Sequence, residues 1–337
     1  MIILQATLKD VAALAGVSVS TVSQVLRDTG NSWISEATKL RVRESAQTLG
    51  YRANPAARLL ASRKGHFFAI VVSHVKSAIM LDPIRIVGKK VVKAGYTPFV
   101  VETQNLPWSH YDNVESLADA VVFIGTGGKE FKERIARFTV GIAAVVGTSP
   151  LHSRFPEFVW DEQQGFNLIF DHLEKLGHTK LALLGGRDNP ERHRQYTQAC
   201  QEKGWQTTII PANNEIDPIQ TGREMARTLI QHHPQITAVV GRNMEFTMGA
   251  LAEFQSQGIR IPQDLSLVAF TDSSLADGIW PRLTALKTPI YEAAQKATDT
   301  TLAMLKGKKI KNTLQTLPVT LIQGATTTRP RKGTLKL

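Results

Sequence analysis

At 337 residues, 42% of them hydrophobic, the chain exceeds one small domain and holds enough apolar side chains for a sizeable core. A single cysteine, Cys200, excludes an intrachain disulfide and fits a reducing compartment. No run of about 18 apolar residues occurs, which excludes a membrane-spanning helix. Met1-Ile2-Ile3-Leu4 is too short for a signal peptide, so a cytoplasmic protein is expected. The net charge of +11 sits at the ends: residues 1–65 carry nine Lys/Arg against four Asp/Glu, and residues 303–337 carry eight Lys/Arg and no acid. A basic N-terminal segment suits phosphate contacts. The last residues, 328–337, read as a solvated, disordered basic tail, with non-specific DNA affinity as the alternative.

In chain order, Thr7 is an N-cap with Asp10 three residues on, a capping-box pattern. Leu8, Val11, Ala12 and Ala15 then form one buried stripe. Gly16 suits the left-handed residue that ends a helix, and Val17 plugs the angle before a second helix. Ser18 caps that helix; Val22, Val25 and Leu26 point inward, leaving Val19, Ser20, Ser23, Gln24 and Arg27 outward. Such a face of small, polar and amide side chains is what reading the major groove requires. Ser35 caps a third helix with Val42, Ala46 and Leu49 as its stripe and Gly50 as its stop. Asn54-Pro55 opens barely two turns of helix through Ala61, too short to be stable alone and expected to order on DNA or a second copy.

From Phe67 onward, short apolar runs alternate with helical patterns, as in parallel sheets with crossover helices. The expected strands are Phe67–Val72, Thr97–Val101, Ala120–Ile124 and Ile142–Val146, then Lys180–Leu184, Thr207–Ile210, Ala238–Val240 and Ser266–Phe270. Helix boundaries fall at Asp82-Pro83, Gly95, Gly177, Gly204 and Gly258. Helix formation over Gln104–Leu117 is left open, with Pro107 as a breaker. Two such series give two doubly wound lobes with a ligand cleft outside the carboxyl ends of the strands.

The motifs Thr-Leu-x-Asp-Val-Ala-x-x-Ala-Gly-Val-Ser-x-x-Thr-Val-Ser from Thr7 and Leu-Gly-Tyr-Arg-x-Asn-Pro-x-Ala-Arg-x-Leu from Leu49 carry a specific resemblance. The chain is similar to the lactose-repressor/galactose-repressor (LacI/GalR) family of bacterial transcriptional regulators. Leu176-Gly177-His178, Ile261-Pro262-x-Asp264-Leu265-Ser266 and Pro281-Arg282-Leu283-Thr284 extend it to about Thr327. The resemblance implies an all-α helix-turn-helix headpiece over 1–53 and a hinge helix and linker over 54–65. It also implies a two-lobed α/β body of the periplasmic-binding-protein kind over 66–327, which binds effector and dimerises.

For DNA, the resemblance places base contacts on Val19, Ser20 and Gln24, and phosphate contacts on Thr7, Ser18, Thr21, Ser23, Tyr51 and Asn54. Leu60 is the expected minor-groove wedge, with Leu59 as its rival. For the effector, it points to Ser73, His74, Trp160, Arg192, Asn243, Thr271 and Asp272. Arg194 is an alternative to Arg192, and Trp160 reads equally as a stacking ring or a core tryptophan. Met244 and Thr271 replace acidic residues common in relatives. The implied partners are a near-palindromic double-stranded DNA operator, a second copy of the chain, and a carbohydrate or sugar phosphate; no membrane is expected.

Gly125-Thr126-Gly127-Gly128 lacks the spacing of a dinucleotide loop and the Lys-Ser/Thr of a P-loop. No metal-ligand motif or nucleophile elbow occurs, so neither cofactor nor enzymatic activity is expected, and Cys200 reads as a packing residue. A transport solute-binding protein is disfavoured by the headpiece. The reading kept open beside an effector-gated repressor is a DNA-binding regulator of the same fold with no effector.

Overall fold

The structure is a computed structural model that describes residues 6–335 except 27–32, 52–64, 74–77, 104–108, 126–128, 149, 186–189, 213–216, 274–275, 277 and 312. It divides into two compact units, Met1–Gly65 and His66–Leu337.

The first unit is a three-helix cluster of α1 (Leu8–Ala15), α2 (Val19–Leu26) and α3 (Glu36–Thr48). Its small core consists of Val11, Ala12, Ala15, Val22, Val25, Ile34, Val42 and Ala46. Gly16 (φ 64°) turns the chain between α1 and α2, a left-handed conformation that favours glycine. Leu49, expected on the buried stripe of α3, instead caps that helix and is exposed. Tyr51, two residues on, packs against the core in its stead.

The second unit contains two six-stranded sheets. The first is built from β1 (Phe67–Val72), α4 (Ala78–Lys93), β2 (Thr97–Glu102), α5 (Ser109–Leu117), β3 (Ala120–Ile124), α6 (Lys129–Arg137), β4 (Ala143–Gly147) and β5 (Glu157–Trp160). The second uses α7 (Glu162–Leu176), β6 (Lys180–Leu184), α8 (Pro190–Glu202), β7 (Gln206–Ile210), α9 (Pro218–His232), β8 (Ala238–Gly241), α10 (Met244–Ser256), β9 (Ser266–Ala269) and β10 (Thr284–Lys287). The chain then returns through α11 (Ile290–Leu305) to β11 (Leu314–Leu317) in the first sheet and ends with β12 (Thr320–Ile322) in the second.

The strand orders are β11-β5-β4-β3-β1-β2 and β12-β10-β9-β8-β6-β7, parallel throughout except for the β10–β12 pair. The chain therefore passes between the lobes three times, after β5, β10 and β11. The central strands are buried on both faces, which is why they read as continuous apolar runs rather than alternating ones. Alternate residues still divide between faces. Ala69, Val71, Val121, Phe123 and Val145 meet Ile135 of α6 and Phe138. Phe68, Ile70, Val122 and Val146 meet Met80 and Val87 of α4 and Ala293 and Ala297 of α11.

Two expectations need correction, and one left open is answered. Asp82-Pro83 is not a helix boundary: α4 starts at Ala78 and carries Pro83 inside it. Helix does form after Pro107, as α5. The basic tail is anchored rather than loose through Leu335. Arg331 donates to the carbonyls of Asp264 (2.6 Å), Pro234 (2.6 Å) and Ile236 (2.8 Å), and the buried Leu335 donates its N–H to Pro234 at 2.9 Å. A guanidinium with several donors satisfies carbonyls that the ends of β8 and β9 leave open, which is the physical reason for the order. No helix among the described residues is long and apolar enough to cross a membrane.

Candidate DNA interface and effector cleft

The headpiece presents its polar face through local hydrogen bonding. Thr7 forms the full capping box on α1: its N–H donates to Asp10 Oδ2 at 2.7 Å and its Oγ1 accepts from the Asp10 N–H. The Thr7 hydroxyl also donates to Asp10 Oδ2 at 2.7 Å, and this bond, with the one from the Thr7 N–H, holds the Asp10 carboxyl below its ordinary range. Ser18 Oγ accepts from the N–H of Thr21 (3.1 Å) and lies within hydrogen-bonding distance of the Ser20 and Thr21 hydroxyls. These bonds fix the start of α2, whose Val22 and Val25 are buried. Val19, Ser20 and Gln24 are exposed on its other side, and Thr21 and Ser23 are half-buried. Asn54 and Leu60 lie outside the described residues, as do Arg27 and Leu59.

In the body, several of the expected effector residues lie at the carboxyl ends of parallel strands. Ser73 follows β1 and bonds its N–H to Ile124 at 3.0 Å. Thr271 and Asp272 follow β9, and the Asp272 N–H donates to the Leu286 carbonyl at 2.8 Å. Ser73 Oγ, Thr271 Oγ1 and Thr288 Oγ1 are all buried without a hydrogen-bond partner among the described residues. Each such hydroxyl costs about 1–3 kcal/mol unless something supplies its bond. Asn243 is the N-cap of α10, its Oδ1 accepting from Phe246 at 2.8 Å, which leaves the amide nitrogen as the donor available to a ligand.

Trp160 ends β5 but is 4% exposed within the apolar core, so its burial supports the core reading over a stacking role. Met244, in place of an expected acid, is likewise buried in the second lobe's core. His74 lies outside the described residues; Arg192 falls on α8, and its side chain is not described. Arg194 is exposed and donates to Gln198 at 3.0 Å.

Sequence reasoning missed four residues here. Thr288 follows β10, whose Thr-Ala-Leu-Lys sequence has only two apolar residues and so does not read as a strand. Arg242, between β8 and α10, lies 4.9 Å over the Phe246 ring. Burial pulls its guanidinium down to about 10, opposed by the Glu245 and Glu162 carboxylates. Glu245 and Glu162 are themselves buried at the starts of α10 and α7. Nothing in the local pattern around a Gly-Arg-Asn-Met-Glu step marks it as an inward-facing ion cluster.

Comparison with known proteins bears on both parts of the chain. Residues 7–54 match "Bacterial regulatory proteins, lacI family", and residues 170–327 match "Periplasmic binding protein-like domain". The chain therefore carries a lacI-family regulatory segment and, further on, a periplasmic-binding-protein-like domain. Among relatives, it is 27% identical over 315 residues to the HTH-type transcriptional repressor PurR of Vibrio atlanticus, covering 90% of this chain and 93% of that one. It is 26% identical over 351 residues to the HTH-type transcriptional regulator GalR of Escherichia coli strain K12, covering 96% of each. Among solved structures, the lac repressor dimer bound to operator and the anti-inducer ONPF shares the fold, with a TM-score of 0.78 at 21% identity over 96% of this chain and 99% of that one. The CelR–cellobiose complex also superimposes, with a TM-score of 0.62 at 20% identity, over 96% of this chain and 100% of that one. The relatives are transcriptional regulators rather than enzymes.

Proposed function

We propose that this protein is a sequence-specific transcriptional repressor of the lacI family, acting in the bacterial cytoplasm as a homodimer on a near-palindromic operator. A small metabolite between the lobes, a carbohydrate or sugar phosphate, sets its operator affinity. The observation that carries the reading is the capped, outward face of α2 held on a dedicated three-helix core. Val19, Ser20 and Gln24 read bases in the major groove. Thr7, Ser18, Thr21, Ser23, Tyr51 and Asn54 fix register on phosphates. Residues 1–53 form the headpiece and 54–65 the hinge, with Leu60 wedging the minor groove. Residues 66–327 bind effector and dimerise.

The metabolite half rests on the three buried hydroxyls of Ser73, Thr271 and Thr288, which a hydroxyl-bearing ligand satisfies. His74, Arg192, Asn243 and Asp272 complete the set. The ligand shifts lobe closure only by its differential affinity for the open and closed states. The cellobiose complex of a structural neighbour supports a small-molecule effector.

Selection of binding sites from random DNA by the full-length protein tests the DNA half. Two-fold related half-sites about one helical turn apart are expected; recovery of no common sequence would overturn it. A thermal-shift panel of sugars, sugar phosphates and nucleosides tests the cleft. Ligand at about 100 times its Kd stabilises the folded state by about 2.7 kcal/mol. A panel without any shift favours a regulator of this fold that needs no effector.

A further inference from the structure

Helix α4 belongs to the first lobe, where it packs on β1, β2 and α11. Its first residue is Ala78, and the N–H of Ala78 donates to Glu245 Oε1 at 2.7 Å. Glu245 lies 167 positions away in the first turn of α10, which packs on β8, β9 and α9 of the second lobe. The first N–H groups of a helix have no intrahelical acceptor and carry partial positive charge. A carboxylate placed there forms a charge-assisted hydrogen bond, stronger than one between neutral groups. Here the acceptor comes from the other lobe.

The same carboxylate interacts with a second cation field. Arg242, three residues before Glu245, is half-buried and is stabilised in its charged form by Glu245 and Glu162. Glu245 is 8% exposed, so water competes weakly for its oxygens. One carboxylate thus takes its charge balance from Arg242 in its own lobe and a donor from the opposite lobe. The bond spans the side of the body on which Ser73, at the end of β1, and Asn243, at the end of β8, lie.

We propose that Glu245 is an interlobe clasp: it caps α4 across the cleft and holds the lobes closed when no effector is bound. An effector then gains entry when the clasp releases, and its apparent affinity is reduced by the fraction of time the clasp stays shut. The effect on operator affinity rests on the repressor reading above; the clasp itself does not.

The experiment is a distance measurement between spin labels on the two lobes of the full-length protein, at Lys89→Cys on α4 and Thr228→Cys on α9, both exposed positions. Labelled chain is diluted into excess unlabelled chain so that only intrachain distances are read. Cys200 is buried and stays unlabelled. With Glu245 intact, one narrow distance distribution is expected. Glu245→Ala is expected to lower the closed-to-open ratio by about tenfold or more, as loss of a charged hydrogen bond implies. Glu245→Gln, which keeps an acceptor oxygen without the charge, gives a smaller change. Ala78→Pro removes the donor from the other side, and proline is well tolerated at a first helical position. It is expected to open the lobes as Glu245→Ala does, with no further opening when the two are combined. If Glu245→Ala does not fold, Ala78→Pro and Glu245→Gln decide. Unchanged distances in the folded variants overturn the clasp. No DNA or ligand enters the measurement, so that result leaves the repressor reading standing, and failure to select an operator leaves the distances unaffected.

Discussion

His178 and Thr328, 150 positions apart, are joined through the imidazole Nε2 and the main-chain carbonyl at 2.8 Å. A carbonyl has no proton to give, so Nε2 carries the hydrogen and Nδ1, 2.9 Å from the Thr237 hydroxyl, accepts. The Thr328 N–H in turn donates to Ser266 Oγ at 3.0 Å. A ring that is 1% exposed thereby ties the entrance of β6 to the segment after Thr327, just before Arg331 makes its three bonds to carbonyls. The basic end of the chain is a strap on the second lobe.

This strap should loosen in acid. Burial pulls the His178 pKa below 6.5, with the Thr328 carbonyl opposing that and His172 and Arg331 adding to it. Because the folded value is the lower one, the unfolded chain binds more protons below pH 6.5. The stabilisation is therefore complete above pH 6.5 and is lost as pH falls through the folded pKa. The midpoint of thermal unfolding, followed by circular dichroism from pH 8 to 5, should fall on that limb. His178→Ala should unfold at lower temperature at pH 8, since each orphaned partner costs about 1–3 kcal/mol, and should lose much of the acid-dependent slope. A slope identical to the parent's would show that other groups set it.

Helices α9 and α10 approach so closely that a methyl group on a glycine between them acts oppositely to one on a glycine in α4. A Cβ on Gly249 would lie 2.0 Å from the Ile219 carbonyl oxygen, a backbone atom that moves only with its helix. Gly249→Ala should cost about 1–3 kcal/mol, as overpacking of a core does. Gly88, in α4, has open space around the same position. Gly88→Ala should be neutral or stabilise by up to about 1 kcal/mol by restricting the unfolded chain. Chemical denaturation of the two variants side by side checks the pair, and equal midpoints would contradict the close approach.

What the sequence reveals depends on where each element finds its partners. The start of α1 is written locally, because Thr7 and Asp10 satisfy one another within one turn. Strands such as β3 and β6 show as apolar runs because both faces are covered. By contrast, β5 begins with Glu157, a carboxylate that reads as surface. It is 2% exposed because it accepts the N–H groups of Leu151 (2.8 Å) and Ser153 (2.5 Å). The start of α4 is hidden in the sequence since its acceptor is Glu245 in the other lobe, and the tail's order is hidden since its carbonyl partners lie 67 to 97 positions earlier. Candidate site residues at strand ends follow the same divide: Ser73 and Thr271 follow strands rich in apolar residues, whereas Thr288 follows Thr-Ala-Leu-Lys, only two of whose four residues are apolar.

The buried hydroxyl of Thr271 gives the cleft a test that separates stability from binding. Thr271→Val keeps the shape and removes an oxygen with no partner among the described residues. Without ligand, the variant should be more stable by about 1 kcal/mol, because an unpaired buried hydroxyl is penalised. With an effector found by thermal shift, the ligand-induced rise should shrink, since the bond that the hydroxyl makes to the ligand is gone. A variant that is less stable without ligand would mean that the hydroxyl is already satisfied within the protein.

Gln24, exposed on α2, carries the sharpest expectation about DNA. A carboxamide offers one donor and one acceptor side by side, matching N7 and N6 of adenine, whereas a guanidinium offers only donors and matches N7 and O6 of guanine. Selected operators should therefore hold A·T at one symmetry-related pair of positions. Gln24→Arg should move that pair to G·C, and Gln24→Ala should leave it unspecified with the other positions unchanged. Each such contact discriminates by about 1–3 kcal/mol, so competition binding at one fixed salt concentration should show roughly a tenfold change or more at that position. Salt must be held constant because phosphate contacts dominate total affinity and vary steeply with it. A G·C preference in the parent that survives Gln24→Ala would assign the position to a different side chain on the same face, with Ser20 the next to substitute.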